Sequence, residues 1–282
     1  MNQKKSTTVS LSAMKSEGTK IVVATAYDAT MATLLDAAGV DVLMVGDSLG
    51  MVVQGNANTL SVTLDEMIYH CRAVCRSPRR AHVVCDLPFL SYQISAEQAL
   101  GAAGRLLKEA GAESVKLEGG KNIAPSVSTI VQAGIPVMGH IGLTPQSVHT
   151  MGGFRIQGRT AEAAQVLLED AHALQQAGAY ALVIEGVPSS VACSITAQLS
   201  IPTIGIGAGP GTDGQVLVSY DFLGLYQGGS PKFVKRYAEL GVEVTRATEC
   251  YVEEVRSGKF PGPEHSFAMM EGHAPPKVER DE

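Results

Sequence analysis

Short runs of apolar residues alternate with longer segments of helical periodicity along most of the chain. The runs are rich in β-branched residues, and several are apolar on both faces, which is typical of buried parallel strands. The pattern predicts eight strands, at residues 20–27, 41–47, 81–86, 114–120, 135–140, 179–185, 201–207 and 215–219.

Helices are predicted between and after these strands, at residues 31–39, 63–76, 95–110, 123–133, 161–177, 189–199 and 233–255. Two of them begin with capping-box spacing, Thr63 with Glu66 and Ser95 with Gln98. Eight strands that alternate with helices are typical of a single (β/α)8 TIM barrel, an α/β fold. A doubly wound sheet with a cap domain is the competing layout, but no linker or change of composition divides the chain.

The chain has 282 residues, which is long enough for one barrel domain. We assign residues 1–267 to a catalytic barrel. Beyond Phe267 the periodicity is lost, so residues 268–282 are predicted to form a mobile C-terminal tail.

The charge balance argues against a nucleic-acid partner, because 22 Lys and Arg residues face 28 Asp and Glu residues. It favours a protein that acts on small molecules. No run of about 18 apolar residues is present to span a membrane, and no apolar core follows Lys4 and Lys5 to form a signal peptide. The five dispersed cysteines are typical of a reducing compartment. We therefore expect a cytoplasmic protein.

The predicted strands end in polar residues. Lys116 and Glu118 point to the same side of their strand, because side chains alternate with a period of two. In a barrel the carboxyl ends of all strands meet on the face that carries the chemistry. The other ends carry Tyr27, Asp28, Asp47, Ser48, Asp86, His140 and Glu185.

Asp47, Asp86 and Glu118 end three consecutive predicted strands, so their carboxylates are expected to converge. Three carboxylates cannot share a dry pocket as anions without a cation. Hard oxygen ligands on rigid strands suit Mg²⁺, whereas zinc prefers histidine or cysteine, and His140 is the nearby example.

Each of these residues also has a simpler interpretation. Asp47 or Asp86 could cap a helix, Glu185 could pair with a surface arginine, and His140 could bond to a backbone carbonyl. Chance rarely places so many polar groups at the same ends of successive strands, so the pattern favours a functional site.

The glycine-rich segment G-I-G-A-G-P-G at residues 205–211 is a weak phosphate-binding signal. Pro210 and Gly214 interrupt the helix start that a dinucleotide site requires. The segment is interpreted as a tight loop at the rim of the pocket, with a minor ligand role left open.

Several longer motifs occur in order along the chain and resemble the ketopantoate hydroxymethyltransferase family. They are T-A-Y-D (25–28), V-G-D-S-L-G-M (45–51), Q-G (54–55), D-L-P-F (86–89), V-K-L-E-G-G (115–120), G-H-I-G-L-T-P-Q-S (139–147), G-G-F-R-I-Q-G-R (152–159), I-P-T-I-G-I-G-A-G (201–209), D-G-Q (213–215) and P-G-P-E-H-S-F (261–267).

This resemblance implies a (β/α)8 barrel of the phosphoenolpyruvate/pyruvate type. It implies transfer of a one-carbon unit from 5,10-methylenetetrahydrofolate to 3-methyl-2-oxobutanoate through a Mg²⁺-stabilised enolate, which makes 2-dehydropantoate for pantothenate and coenzyme A. It also implies a homo-oligomer, often a decamer in bacteria, with the last helix at subunit contacts.

The motifs also assign roles residue by residue. By resemblance, Asp47 and Asp86 are metal ligands that also face the substrate, and Glu118 is the third metal-site acid, directly or through water. The resemblance implies substrate binding by Ser48, Lys116 and His140. It places the catalytic proton acceptor at Glu185.

Two alternatives remain at this point. A Mg²⁺-dependent lyase or mutase would act on oxaloacetate-like or isocitrate-like acids through a similar enolate, but such enzymes usually carry a K-x-C-G-H segment that is absent from this sequence. A non-catalytic, metabolite-binding barrel is the second alternative, and the intact set of acidic residues argues against it.

Overall fold

The computed structural model describes residues 4–229, 231–271 and 273. Its eight parallel strands pair in sequential order, and β1 also pairs with β8, which closes the barrel. The predicted (β/α)8 fold is therefore confirmed. The strands are β1 Ile21–Thr25, β2 Val42–Val45, β3 His82–Asp86, β4 Ser114–Glu118, β5 Val137–Gly142, β6 Ala181–Glu185, β7 Thr203–Ile206 and β8 Gly214–Leu217.

The helices lie mainly outside the strands. Thr63 and Glu66 form the predicted capping box, whereas Ser95 accepts a hydrogen bond from Gln98 N without the reciprocal half of the box. The described helices are α1 Thr8–Glu17, α2 Ala29–Ala37, α3 Leu49–Val52, α4 Leu64–Cys75, α5 Ala96–Arg105, α6 Ala124–Gln132, α7 Ala161–Gln176, α8 Ser189–Gln198, α9 Ser219–Phe222 and α10 Leu240–Ser257; a π-helical turn, Leu106–Ala110, continues α5.

The helices differ from the predictions, because α1 and the two four-residue helices α3 and α9 were not predicted and α10 begins later than expected. Helix α1 was not predicted, because Leu11 is its one buried residue and leaves a weak periodic signal. Leu11 packs with the inner residues Ile21 and Val23, so α1 closes the amino-terminal end of the barrel. Helix α10 begins at Leu240 rather than at residue 233, because Phe233 instead packs over Gly207 at the rim of the cavity.

The strands separate two layers of apolar packing. Outward residues such as Leu43 and Leu117 pack in the layer shared with the helices, and inward residues such as Met44 and Met138 fill the barrel. Towards the carboxyl ends of the strands the interior becomes polar, and Lys116 is buried there. The barrel thus has a buried, charged floor at one end.

The carboxyl-terminal region is described only in part. The predicted mobile tail at 268–282 falls largely on residues 272 and 274–282, which lie outside the described residues, and the domain boundary at residue 267 stays a prediction. Among the described residues, no helix combines the length and the apolar character needed to cross a bilayer.

Candidate active site

The ends of β3, β4 and β5 bring buried polar side chains together. Asp86 pairs with Lys116 across β3 and β4, and Glu118 pairs with His140 across β4 and β5. Lys116 Nζ lies 3.3 Å from Asp86 Oδ2 and 3.8 Å from Glu118 Oε1. Leu117 between them packs in the outer layer. The predicted shared orientation of Lys116 and Glu118 is therefore confirmed.

His140 connects this cluster with Glu185. Its Nδ1 atom lies 3.2 Å from Lys116 Nζ and 3.5 Å from Glu118 Oε1. Its Nε2 atom lies 3.2 Å from Glu185 Oε2. The Glu185 side chain is 14% exposed against 3% for His140, so Glu185 is the member of this pair that is open to the cavity.

Asp47 and Ser48 follow β2 in a tight turn into α3. Asp47 N donates a hydrogen bond to Asp86 Oδ2 at 3.2 Å, which joins the ends of β2 and β3. A Cβ atom on Gly46 would lie 2.8 Å from Ser48 Oγ, so a side chain at this position would displace the serine hydroxyl. Ser48 Oγ lies 2.9 Å from the Tyr27 hydroxyl, which orients the serine towards the cavity.

A cavity of about 420 Å³ opens above these residues. Its size falls within the range of small-molecule sites, which are mostly apolar with a few convergent polar groups. The floor is charged, and the walls are largely apolar. The floor includes Asp47, Asp86 and Lys116, and the walls include Leu143, Ile156 and Phe233.

The sequence matches a known family over most of its length. A family model described as ketopantoate hydroxymethyltransferase matches residues 5–263. The chain belongs to this family. The 3-methyl-2-oxobutanoate hydroxymethyltransferase of Pelobacter propionicus is 58% identical over 265 residues, which cover 94% of this chain and 98% of that relative. The family expected from the motifs is therefore confirmed.

Solved structures of low sequence identity share the fold of this ketopantoate hydroxymethyltransferase family member. A phosphonopyruvate hydrolase in complex with oxalate and Mg²⁺ superposes with a TM-score of 0.60 at 12% identity, and covers 92% of this chain and 93% of its own. A 2,3-dimethylmalate lyase of the PEP mutase/isocitrate lyase superfamily gives 0.56 at 16% identity, with 91% and 92% covered. These structures show that the (β/α)8 fold is shared.

The buried charges of this family member perturb one another. Burial and the Glu118 and Asp86 carboxylates raise the pKa of Asp47 well above its ordinary value, and burial raises the pKa of Asp86. Burial opposes ionisation of Glu118, but contacts with His140 and Lys116 outweigh it and hold the Glu118 pKa below its ordinary value.

The two cationic side chains are held in their charged forms. Burial disfavours the charged forms of Lys116 and His140, but the surrounding carboxylates outweigh it. They raise the pKa of Lys116 above its ordinary value and the pKa of His140 to about 9. Four carboxylates line this end of the cavity against two cationic groups, so a further cation would stabilise the fully ionised site.

The donor atoms fit a divalent cation. Asp86 Oδ1 is buried and has no hydrogen-bond partner among the described residues. Asp47 and Asp86 offer hard oxygen atoms, which Mg²⁺ prefers, and Mg²⁺ usually leaves its remaining positions to water and substrate. Within the described ranges, no group of three or more Asp, Glu, His or Cys side chains is arranged to hold a metal ion, so the expected convergence of Asp47, Asp86 and Glu118 into one ligand set is not seen. Direct ligation by Glu118 stays a prediction.

The simpler interpretations of two residues do not hold. The Asp47 carboxylate accepts from the Gln146 side chain rather than from a helix amide, and Asp86 contacts Lys116. Of the polar strand ends, Asp28 is the one that caps a helix, because it accepts from Met31 N at the start of α2.

Gln146 and Tyr92 were not singled out from the sequence. Both are buried beside the carboxylates, and they contact each other across 54 positions of the chain. The available signal was the position of Gln146 within the motif G-H-I-G-L-T-P-Q-S. The glycine-rich loop supports its interpretation as a rim, because Gly207 lines the cavity and a Cβ atom there would lie 2.8 Å from Phe233.

Proposed function

We propose that this protein transfers a hydroxymethyl group from 5,10-methylenetetrahydrofolate to 3-methyl-2-oxobutanoate and makes 2-dehydropantoate for pantothenate biosynthesis. The near full-length relative named 3-methyl-2-oxobutanoate hydroxymethyltransferase supports this substrate. One observation carries the proposal further: Lys116 lies among the carboxylates of Asp86 and Glu118 at the floor of the cavity, a suitable environment for an anionic substrate with a divalent cation.

Asp47 and Asp86 would hold Mg²⁺, with Glu118 directly or through water. When bound, Mg²⁺ withdraws electron density from the keto and carboxylate oxygens of a 2-oxo acid and so acidifies the proton on C3. The buried Asp86 Oδ1 atom, without a partner among the described residues, supports this assignment. The oxalate and Mg²⁺ in the phosphonopyruvate hydrolase complex make Mg²⁺ the first ion to test.

The remaining side chains have separate roles in accepting the proton, stabilising the negative charge and binding the substrate. Glu185, at the open side of the cluster, accepts the C3 proton, and His140 holds its carboxylate in place. Lys116 faces the oxygen on which negative charge develops as that proton leaves. Ser48, held by Tyr27, contacts the 2-oxo acid.

The carbon–carbon bond then forms at C3. The methylene carbon of the folate is bonded to two nitrogens. The electron pair left on C3 attacks this carbon as its first bond to nitrogen breaks, and the second bond to nitrogen breaks as water adds, with protons going to the released nitrogens. Water supplies the hydroxyl group of the product. The apolar walls of the cavity keep other water away from C3 while this bond forms.

A product assay tests this function. The protein with Mg²⁺, 3-methyl-2-oxobutanoate and 5,10-methylenetetrahydrofolate is expected to yield 2-dehydropantoate, detected by mass spectrometry, and to yield none without the folate. Cleavage of oxaloacetate-like or isocitrate-like acids in place of transfer would indicate the lyase or mutase alternative. A protein without turnover in any of these assays would be a metabolite-binding barrel.

The proposal includes a homo-oligomer, with a decamer as the expected form. Within the described part of the chain, helix α10 has no buried residue, and exposed apolar side chains along it support a role in contacts between subunits. They are Val242, Val244, Tyr251 and Val255. Light scattering coupled to size-exclusion chromatography measures the number of subunits.

A cytoplasmic location belongs to the same proposal. In the described structure all five cysteines are free thiols, as expected in a reducing compartment. Microscopy of a tagged chain in its host would test the location directly.

A further inference from the structure

The buried side chain of Gln146 has all of its hydrogen-bonding capacity in use. Its Nε2 donates to Asp47 Oδ2 at 2.8 Å and to the Leu87 carbonyl at 2.9 Å. Its Oε1 accepts from the Tyr92 hydroxyl at 2.7 Å and from Gln93 Nε2 at 3.1 Å. A carbonyl can only accept, so the contact with Leu87 fixes which end of the carboxamide faces Asp47.

The backbone of the same residue holds a second carboxylate. Gln146 N donates to Glu118 Oε2 at 3.0 Å. Gln146 lies on the 3-10 turn Pro145–Ser147 that follows β5, so one residue contacts the acids at the ends of β2 and β4. Tyr92 completes the arrangement, because its hydroxyl accepts from Glu118 N at 3.1 Å. Its single proton faces both Gln146 Oε1 at 2.7 Å and the Glu118 carbonyl oxygen at 3.0 Å, and the shorter contact is the one with Gln146.

We propose that Gln146 is a positioning residue for the cation site, and that Tyr92 fixes it in place. It directs one oxygen of Asp47 and one oxygen of Glu118 away from the cation, which leaves the other oxygen of each carboxylate in a defined direction. A neutral amide does this without adding a positive charge that would compete with the cation. The inference rests on the proposed function, because it requires a divalent cation between these acids.

Gln146→Leu tests the proposal, because leucine has a similar volume but cannot donate to Asp47. Calorimetric titration with Mg²⁺ alone, without substrate, is expected to show at least a roughly tenfold weaker Kd, as is typical when a partner of a metal ligand is removed. At saturating Mg²⁺ the kcat should recover most of its original value. Tyr92→Phe should weaken Mg²⁺ binding by a smaller factor.

Gln165→Leu is the matched control, because Gln165 is exposed on α7 and contacts Glu169. It should leave the Kd for Mg²⁺ unchanged. Thermal unfolding of each variant after EDTA treatment separates a loss of folding from a loss of metal affinity. Gln146→Leu with an unchanged Kd and a lower stability would overturn the positioning role and leave the proposed function standing. An unmodified protein that binds no Mg²⁺ would overturn both.

Discussion

Lys116 is charged inside the barrel because carboxylates surround it. Its Nζ atom lies within 4 Å of both Asp86 and Glu118, and these neighbours raise its pKa above the ordinary value although burial opposes this. An unpaired buried ammonium costs several kcal/mol, on the order of the whole stability of some domains. The site therefore acts as one electrostatic unit, and the loss of one member changes the charge state of the others.

Glu185→Gln separates proton abstraction from metal binding. The amide keeps the size of the side chain but cannot accept the C3 proton, so exchange of that proton should fall at least about a hundredfold. Proton NMR of 3-methyl-2-oxobutanoate in D₂O with Mg²⁺ and the protein measures the exchange. Mg²⁺ affinity should change much less than the exchange rate, since Glu185 contacts His140 rather than the carboxylates of Asp47 and Asp86.

Glu264→Gln, at an exposed glutamate, is the control and should exchange at the original rate. Undiminished exchange in Glu185→Gln would remove Glu185 from the role of base.

At this scale the sequence predicted charged residues better than neutral ones. Asp47, Asp86 and Glu118 could be found because a carboxylate at the end of an apolar strand has few structural uses. Gln146 and Tyr92 could not, because neutral polar residues in loops are common, and their contact depends on how β3 and β5 are arranged in the folded barrel.

Among the elements, the end of β5 packs closely against the end of β6. Gly142 is paired with Glu185 in the register of the two strands and adopts a φ of +94°. A Cβ atom at this position would lie 2.2 Å from the Glu185 carbonyl oxygen. Glycine therefore lets the backbone of β5 approach the residue that carries the proposed base.

Gly142→Ala should thus impair both stability and turnover. The added methyl group must displace the end of β6, so the free energy of unfolding should fall by about 2–4 kcal/mol, and kcat should fall with it. Gly134→Ala is a matched control, because Gly134 has a φ of +86° but no atom of the described residues would lie within 4 Å of its added methyl group.

The control should cost only about 1 kcal/mol and leave kcat unchanged. Urea unfolding and steady-state assays measure both quantities. Equal losses in the two variants would show that the close approach to β6 does not matter.

The helix predictions failed where packing was not periodic. Helix α1 contributes Leu11 alone to the core, so periodicity could not reveal it. Residues 233–239 have a helical pattern in the sequence, but Phe233 lies at the cavity rim. The Tyr237 amide donates to the carbonyl of Phe222 at the end of α9 instead of to a residue four positions earlier. Strands were easier to predict, because burial on both faces makes each one a continuous apolar run.

The whole molecule also contains a buried polar cluster at the opposite end of the barrel. His82 Nε2 lies 2.8 Å from Ser114 Oγ, which lies 3.0 Å from the Tyr180 hydroxyl, and His82 Nδ1 lies 3.6 Å from Glu113. Burial lowers the pKa of His82 to about 4, with Lys5 acting in the same direction and Glu113 opposing it. The folded protein therefore holds this histidine neutral.

This cluster makes stability depend on pH. Between pH values of about 6.5 and 4 the unfolded chain protonates His82 and the folded chain does not, so the free energy of unfolding falls as the pH falls through this window. The loss attributable to His82 should approach about 3 kcal/mol at the lower end. Urea unfolding at fixed protein concentration, at about pH 7 and about pH 4.5, measures it.

His82→Gln should remove this part of the pH dependence, since glutamine can still bond to Ser114 but does not titrate. His149→Gln, at an exposed histidine, should keep the full dependence. Identical pH profiles for His82→Gln and the unmodified protein would contradict the assignment.

The segment after the last strand has a consequence for how the protein is made. All of the proposed metal, substrate and proton-transfer residues precede residue 186, and the barrel closes with β8 at Leu217. Tyr226, Pro231 and Phe233 of the cavity wall follow later. On the ribosome, the residues of the charged floor are therefore synthesised first, and those that complete the wall of the pocket are synthesised only after the last strand of the barrel.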